Sequence, residues 1–221
     1  RGALLSHADD SGKELISGHR HDGTPSERPH VAYLPLPFAG YEHADGHLLG
    51  FALALPRGLS RTEEDSVWGA LANAIDSDTD TMRLVAGSSG GCDVTVEERP
   101  APPVTLQTNT WCRSSRAWAT VTPVVLDRLP PRRHQDLDRW AAEQIAESCQ
   151  KQGLPAPASI RISGFSSLQG VPPAREFPCL KRKDGLRRWH THARIEFRES
   201  VAGPLILGAG RFRGYGLFKP V

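Results

Sequence analysis

The sequence predicts an α+β fold with antiparallel sheets, and three observations carry that expectation. Strand-length runs, apolar or alternating, recur along the chain at 31–38, 48–55, 82–86, 93–98, 118–126, 159–165 and 190–197. Only 61–76 and about 134–152 hold apolar residues at helical spacing over a helix length. The strands often follow one another across short connections, where a parallel sheet would alternate them strictly with helices.

In chain order, residues 2–9 (GALLSHAD) read as the end of a helix that starts upstream of Arg1. Residues 18–30 (GHRHDGTPSERPH), polar and rich in Gly and Pro, read as a loop. The strand at 31–38 is interrupted by Pro35 and Pro37; the connection AGYEHADGH leads to the apolar run 48–55, closed by Pro56. Ser60 and Glu63 form a capping-box signature. Val67, Trp68, Leu71 and Ile75 then give 61–76 an apolar stripe, and Trp68 is expected in the core with the aliphatic residues. Residues 82–86 and 93–98 are two strands around the turn GSSGG. The prolines of ERPAPPV (98–104) mark a linker between one domain at 1–100 and a second at 105–221.

Beyond the linker, 118–126 alternates as a strand and LPPRR turns. The helix at 134–152 has Leu137, Trp140, Ala141, Ile145 and Cys149 as its apolar face, and Gly153 stops it. The strands 159–165 and 190–197 turn inward Ile160 and Ile162, then Ala193, Ile195 and Phe197. The chain closes with PLIL (204–207), the loop GAGRFRGYG (208–216) and a strand at 217–221. Strand, helix, strand, strand, loop, strand is a ferredoxin-like (RRM-like) unit whose second helix is reduced or replaced. The first half reads strand, strand, helix, strand, which is the same unit if its first strand and helix lie upstream of Arg1.

Composition bounds the function. A chain of 221 residues suffices for one sizeable domain or two small ones. It begins at Arg1 and its only methionine is Met82, so it reads as a fragment or a processed product. No apolar run approaches the ~20 residues of a membrane helix, and a cytoplasmic location without membrane contact is expected. The formal net charge is only +2, so attraction to a polyanion depends on where the basic residues sit. Cys92, Cys112, Cys149 and Cys179 are far apart with no C-x-x-C pair, as in a reduced intracellular protein without a thiolate zinc site.

Two stretches point to a phosphate backbone. In 208–216, Gly208, Gly210, Gly214 and Gly216 let main-chain N–H groups approach a ligand closely, and Arg211 and Arg213 supply planar donors suited to phosphate oxygens. The order strand, loop, strand excludes a Rossmann fingerprint, and there is no Gly-Lys-Ser/Thr of a P-loop. A tight connection with solvated arginines is the bland alternative. The most basic stretch, KRKDGLRR, carries Lys181, Arg182, Lys183, Arg187 and Arg188, with Arg194 on the adjoining strand. Such a loop could straddle an RNA stem, although charge runs are often only solvated surface.

Of nine histidines, five gather near the front: His19, His21, His30, His43 and His47, with Asp22 and Asp45 among them. Imidazoles and carboxylates suit a transition metal, but the spacings are loose and no H-E-x-x-H helix is present, so no metal and no cofactor are expected. The competing chemistry is general acid–base cleavage of RNA, for which histidine suits both roles. The candidates are taken in the order His43, His19, His30, His47, with Tyr41 as a second proton donor and a hydrogen-bonded structural histidine as the plain alternative for each.

The segment PLILGAGRFRGYGLFKPV resembles the glycine-rich C-terminal end of the RAMP superfamily of CRISPR RNA-binding proteins. More particularly, it resembles the end of the fused Cas five–Cas six proteins of type I-G systems (formerly I-U). Residues 17–57 resemble the central block of the same proteins, so the chain corresponds to their Cas six half. The resemblance implies two tandem ferredoxin-like units and a repeat-processing endoribonuclease that cleaves precursor CRISPR RNA without metal. Attack by the 2′-OH would leave a 2′,3′-cyclic phosphate. It also implies repeat RNA, hairpin or single-stranded, as ligand, with a Cas five-like unit fused upstream and other effector-complex subunits as partners. Two alternatives stay open: a non-catalytic RAMP subunit that grips CRISPR RNA, and a metal-dependent hydrolase built on the histidine cluster.

Overall fold

Capping chemistry starts the longer helices where the sequence places it. In the computed structural model, residues 1–85, 90–130 and 136–221 are described. They divide into two units, Arg1–Tyr33 with Ala52–Pro102, and Leu34–Phe51 with Pro103–Val221.

The first unit opens with α1 (Gly2–Leu5) and α2 (Asp10–Ser17). Periodicity alone does not announce α2, because so short a helix buries little beyond Gly12, Leu15 and Ile16. Its caps are nevertheless explicit: the Asp9 carboxylate accepts from the Gly12 N–H at 2.6 Å, and Gly18 closes it at φ 68°. Strands β1 (Ala32–Pro37) and β2 (Leu48–Ala54) pair with each other, and the unit boundary crosses both. Helix α3 (Arg61–Ala74) carries the full capping box: Ser60 Oγ accepts from Glu63 N–H at 3.3 Å, and Glu63 accepts from Ser60 N–H at 2.9 Å. Its buried residues are Val67 and Ala70, one turn apart. Trp68, expected in the core, is 47% exposed, because it lies about 100° around the helix from Val67. Leu4, Leu15, Ile16, Val31, Val67 and Ala70 form this unit's core. Strands β3 (Met82–Val85) and β4 (Gly91–Val94) make an antiparallel hairpin, Met82 opposite Val94 and Val85 opposite Gly91. Most of the expected GSSGG turn, most of the LPPRR turn, and residues 134 and 135 at the start of the helix expected at 134–152 lie outside the described residues.

The second unit adds α4 (Thr108–Cys112), β5 (Ser115–Thr120), β6 (Val124–Val125), α5 (Leu137–Lys151), β7 (Pro157–Ser163), β8 (His190–Val201), β9 (Leu205–Ile206) and β10 (Leu217–Pro220). The expected single strand at 118–126 is split into β5 and β6. Between them Val121 N–H donates to Leu217 O at 2.8 Å and Pro123 O accepts from Gly216 N–H at 2.9 Å. All pairings in this sheet are antiparallel: β10 with β5, β5 with β8, and β8 with β7. Counting β5, β7, β8 and β10 as first to fourth, the sheet runs fourth, first, third, second. That is the ferredoxin-like order, with β9 and the glycine loop standing where the second helix would be. The class is therefore α+β with antiparallel sheets.

Helix α5 covers one face of the sheet through Trp140, Ala141, Ile145 and Cys149, at the i, i+1, i+5 and i+9 spacing of an apolar stripe. Leu137 is 44% exposed, a correction to the expected face: as the first helical residue it precedes the stripe. Ala193, Ile195 and Phe197 alternate inward on β8 and meet Trp118 and Phe218 in the same core. Truncating a fully buried aromatic such as Trp118 to alanine would cost about 3–5 kcal/mol.

Candidate functional site

The connection between β1 and β2 is held by the last strand. Lys219 on β10 is 5% exposed; its ammonium donates to Ala39 O at 2.6 Å and lies 3.4 Å from the centroid of the Tyr41 ring. Tyr41 stacks on Phe38 with centroids 5.6 Å apart, and Phe38 meets the His47 ring at 5.6 Å. The His47 Nδ1 is hydrogen-bonded to the Asp45 carboxylate, which also accepts from the His47 backbone N–H at 3.1 Å. These bonds, the backbone one first, hold the Asp45 carboxyl below its ordinary range. A carboxylate on Nδ1 fixes the tautomer of the neutral ring with Nε2 as a proton acceptor. Burial, and secondarily Arg113, lowers the Lys219 pKa to about 8.

Backbone contact without side chains sets the exit of this connection. Gly46 has φ 79°, and a Cβ there would lie 2.0 Å from Gly170 O. Only glycine fits that approach. Gly40 N–H donates to Gln169 O at 2.8 Å, a second tie to the same stretch. An apolar cavity of about 170 Å³ adjoins it, lined by Pro37, Gly46, Leu48, Gly170 and Phe177.

The other histidine candidates are differently placed. His43 is highly exposed at φ 62°, with Nε2 3.5 Å from the Glu42 carboxylate. His19 follows α2; its Nδ1 lies 3.0 Å from Ser17 O and 3.3 Å from Arg1 Nη2. His30 packs over Gly18, whose missing Cβ would meet its ring at 2.5 Å. His43, His47 and Tyr41 thus belong to the unit that carries the glycine loop, while His19 and His30 belong to the other. Among the described residues, no three His, Cys, Asp or Glu side chains group as metal ligands.

The glycine loop bonds largely to its own unit. Gly208 N–H donates to Ser148 Oγ at 3.0 Å, Ala209 N–H to Val125 O at 2.8 Å, Arg213 N–H to Gly210 O at 2.8 Å and Gly216 N–H to Pro123 O at 2.9 Å. Gly208, Gly214 and Gly216 take positive φ, and a Cβ on Gly216 would lie 1.9 Å from Leu207 O. The outward offer is therefore side-chain charge more than a row of amides. Arg211 is half-buried, donates to Gly208 O at 3.3 Å and lies 4.3 Å from the Phe212 ring centroid; burial lowers its pKa. Arg213 is exposed.

The basic stretch is a tight reversal. Arg182 N–H donates to Leu186 O and Arg188 N–H to Leu180 O around Gly185. Lys181, Lys183 and Arg187 are exposed, and Arg182 pairs with Asp184 at 3.2 Å. Arg188 donates to Leu126 O and to Asp127 O at 3.3 and 2.9 Å, and Arg194 pairs with Glu196 at 3.4 Å. Those two arginines are engaged structurally.

Compared with known proteins, residues 1–220 match the model of the family described as CRISPR-associated protein, GSU0054 family. The chain belongs to that family. No curated protein and no solved structure matches it. No helix among the described residues of this CRISPR-associated protein is long and apolar enough to cross a membrane.

Two residues of this CRISPR-associated protein escape a reading of its sequence. Lys219 looks like one more surface lysine in a closing strand, and its hydrogen-bond partner Ala39 lies 180 residues away. His192 is fully buried, with Nδ1 2.9 Å from Thr120 Oγ1 and Nε2 2.9 Å from Pro172 O; burial lowers its pKa to about 4. Nothing in the alternation of β8 signals His192, which is out of phase with the inward Ala193, Ile195 and Phe197 and is covered instead by Pro172 and Phe177.

Proposed function

We propose that this chain is a metal-independent endoribonuclease that cleaves precursor CRISPR RNA within its repeats, as the Cas six half of a type I-G RAMP fusion protein. The observation that carries the reading is the Asp45-held His47, in the same unit as the Gly–Arg crossover of a ferredoxin-like sheet. Membership of a CRISPR-associated family supports the substrate. In the reaction, His47 Nε2 takes the proton of a ribose 2′-OH, and that oxygen attacks the adjacent phosphorus. An acid, His43 or Tyr41, protonates the departing 5′-oxygen. The products are a 2′,3′-cyclic phosphate and a 5′-hydroxyl. Asp45 stabilises the imidazolium formed on His47, and Arg213 with Lys181, Lys183 and Arg187 supplies charge for the phosphates.

A second reading is a non-catalytic subunit that grips CRISPR RNA in an effector complex. The exposure of both His43 and His47 favours it, since acid–base groups work best in sites that exclude water. Incubating the protein with repeat RNA, with and without EDTA, separates these readings. Cleavage in chelator with a 2′,3′-cyclic end supports the nuclease. Tight binding without cleavage supports the binding subunit, and activity restored only by added metal supports a metal-dependent hydrolase.

A further inference from the structure

A second aromatic and cationic surface lies at the sheet edge, away from the histidine connection. β7 is the outermost strand beside β8, and its end, Ser163, pairs with His192 near the start of β8. Just beyond β7, Phe165 is 61% exposed, and the Arg175 guanidinium lies 5.7 Å from its ring centroid. Arg175 also lines a cavity of about 340 Å³, together with Asp138, Ser163, Trp189, His190 and Thr191. That volume falls at the lower end of the ~300–1,000 Å³ range of small-ligand clefts.

The polar groups in this wall ask for a particular partner. His190 Nε2 bonds to Ala174 O at 2.7 Å, and a carbonyl only accepts, so Nε2 carries the proton. Nδ1 of the neutral ring is then an acceptor, buried and without a partner among the described residues. The exposed Asp138 carboxylate is a second acceptor. The carboxylate is open to the cavity and calls for N–H donors; Nδ1 is covered and would accept one only after its ring turns. Trp189 stacks on Trp140 with centroids 5.8 Å apart and comes just after the stretch that carries the exposed cations Lys181, Lys183 and Arg187.

The geometry points to this edge as a docking site for one unpaired RNA base, stacked on Phe165 and Arg175, with its exocyclic amine in the cavity beside Asp138 and His190. It rests on the reading that the partner is RNA, and it adds where an unpaired nucleotide sits and which bases it accepts. Exposed aromatic rings with a neighbouring guanidinium are stacking platforms for single strands. Cytosine, adenine and guanine carry an exocyclic amine with two N–H donors, whereas uracil offers only N3–H, flanked by two carbonyl oxygens that a carboxylate repels.

Fluorescence anisotropy with short labelled oligocytidine and oligouridine tests the site on the full chain. Phe165→Ala is expected to weaken oligocytidine binding by about 5- to 100-fold, the usual effect of losing one stacked base. Phe165→Trp should retain it, and Asp138→Ala should erase the preference for oligocytidine over oligouridine. Phe165 is exposed, so an unchanged melting temperature shows that the variants fold. Wild-type affinity in Phe165→Ala overturns the platform while leaving the RNA reading intact. No binding of either oligomer or of repeat RNA by the wild type overturns both. Equal binding of both oligomers by the wild type overturns the base preference.

Discussion

The buried ammonium of Lys219 lies 3.4 Å from the Tyr41 ring centroid while it donates to Ala39 O at 2.6 Å. It thereby tethers the connection that bears His43 and His47 to the final strand. The tether has a cost in charge burial, expressed as a pKa lowered to about 8, well under the ordinary lysine value of ~10.4. Below pH 8 the folded chain buries a cation, so the wild type should gain stability as pH rises from about 8 towards 10.4. Lys219→Met is expected to melt at the same temperature as the wild type or higher near neutral pH, an advantage of at most roughly 3 kcal/mol that fades over that window. Its repeat cleavage should fall. Thermal melts across the pH range check this; a clear loss of stability at neutral pH would mean that the carbonyl bond and ring contact outweigh desolvation.

Glycine substitutions should split by location. Gly46→Ala drives a methyl into Gly170 O and forces a residue with a side chain to φ 79°, so it is expected to lower stability by at least ~1–3 kcal/mol. Gly69, on the exposed side of α3 with open space at its Cβ, should do the opposite. Gly69→Ala is expected to raise stability by about 0.5–1 kcal/mol through helix propensity. Chemical denaturation of the two variants gives both signs.

Much of the fold was legible because its signals are local. The Ser60–Glu63 box, the stripe of α5 and the alternation of Ala193, Ile195 and Phe197 each depend on neighbours a few residues away. The helix α2 was missed because its caps, Asp9 and Gly18, enclose too few apolar residues to set a period. Trp68 was misplaced because adjacent apolar residues on a helix cannot all face one core. The candidate site was half legible. Histidine type and glycine spacing can be read directly, but the Asp45 bond, the Lys219 tether and the inward bonding of the loop amides depend on tertiary contact.

Acid should act on the second unit through His192. Its pKa is about 4 in the fold, lowered first by burial, against ~6.5 when unfolded. The unfolded chain therefore binds more protons between these values, so stability is full above about pH 6.5 and falls as pH drops towards 4, by roughly 2–3 kcal/mol. His192→Gln is expected to be less stable at neutral pH and to flatten this slope. An unchanged slope would assign the acid transition to other groups.

Phosphate contacts should show in salt dependence. Arg213→Ala and the double change Lys183→Ala with Arg187→Ala are expected to weaken repeat RNA binding and to reduce the salt slope by roughly one unit per lost contact. Arg188→Ala should chiefly cost stability, because its guanidinium already holds Leu126 O and Asp127 O. Filter binding over a salt series, with melts as control, separates the two effects.

The central claim is that the ribose 2′-OH is the nucleophile and an Asp45-held His47 its base. The most direct measurement is cleavage of repeat RNA in EDTA with a single 2′-deoxy substitution on the nucleotide just 5′ of the cut, beside His47→Ala acting on unmodified RNA. The account expects the deoxy substrate to bind normally and not be cut, and His47→Ala to slow cleavage by ~10²–10⁴-fold with little change in affinity. Normal cleavage of the deoxy substrate would make water the nucleophile and contradict the account.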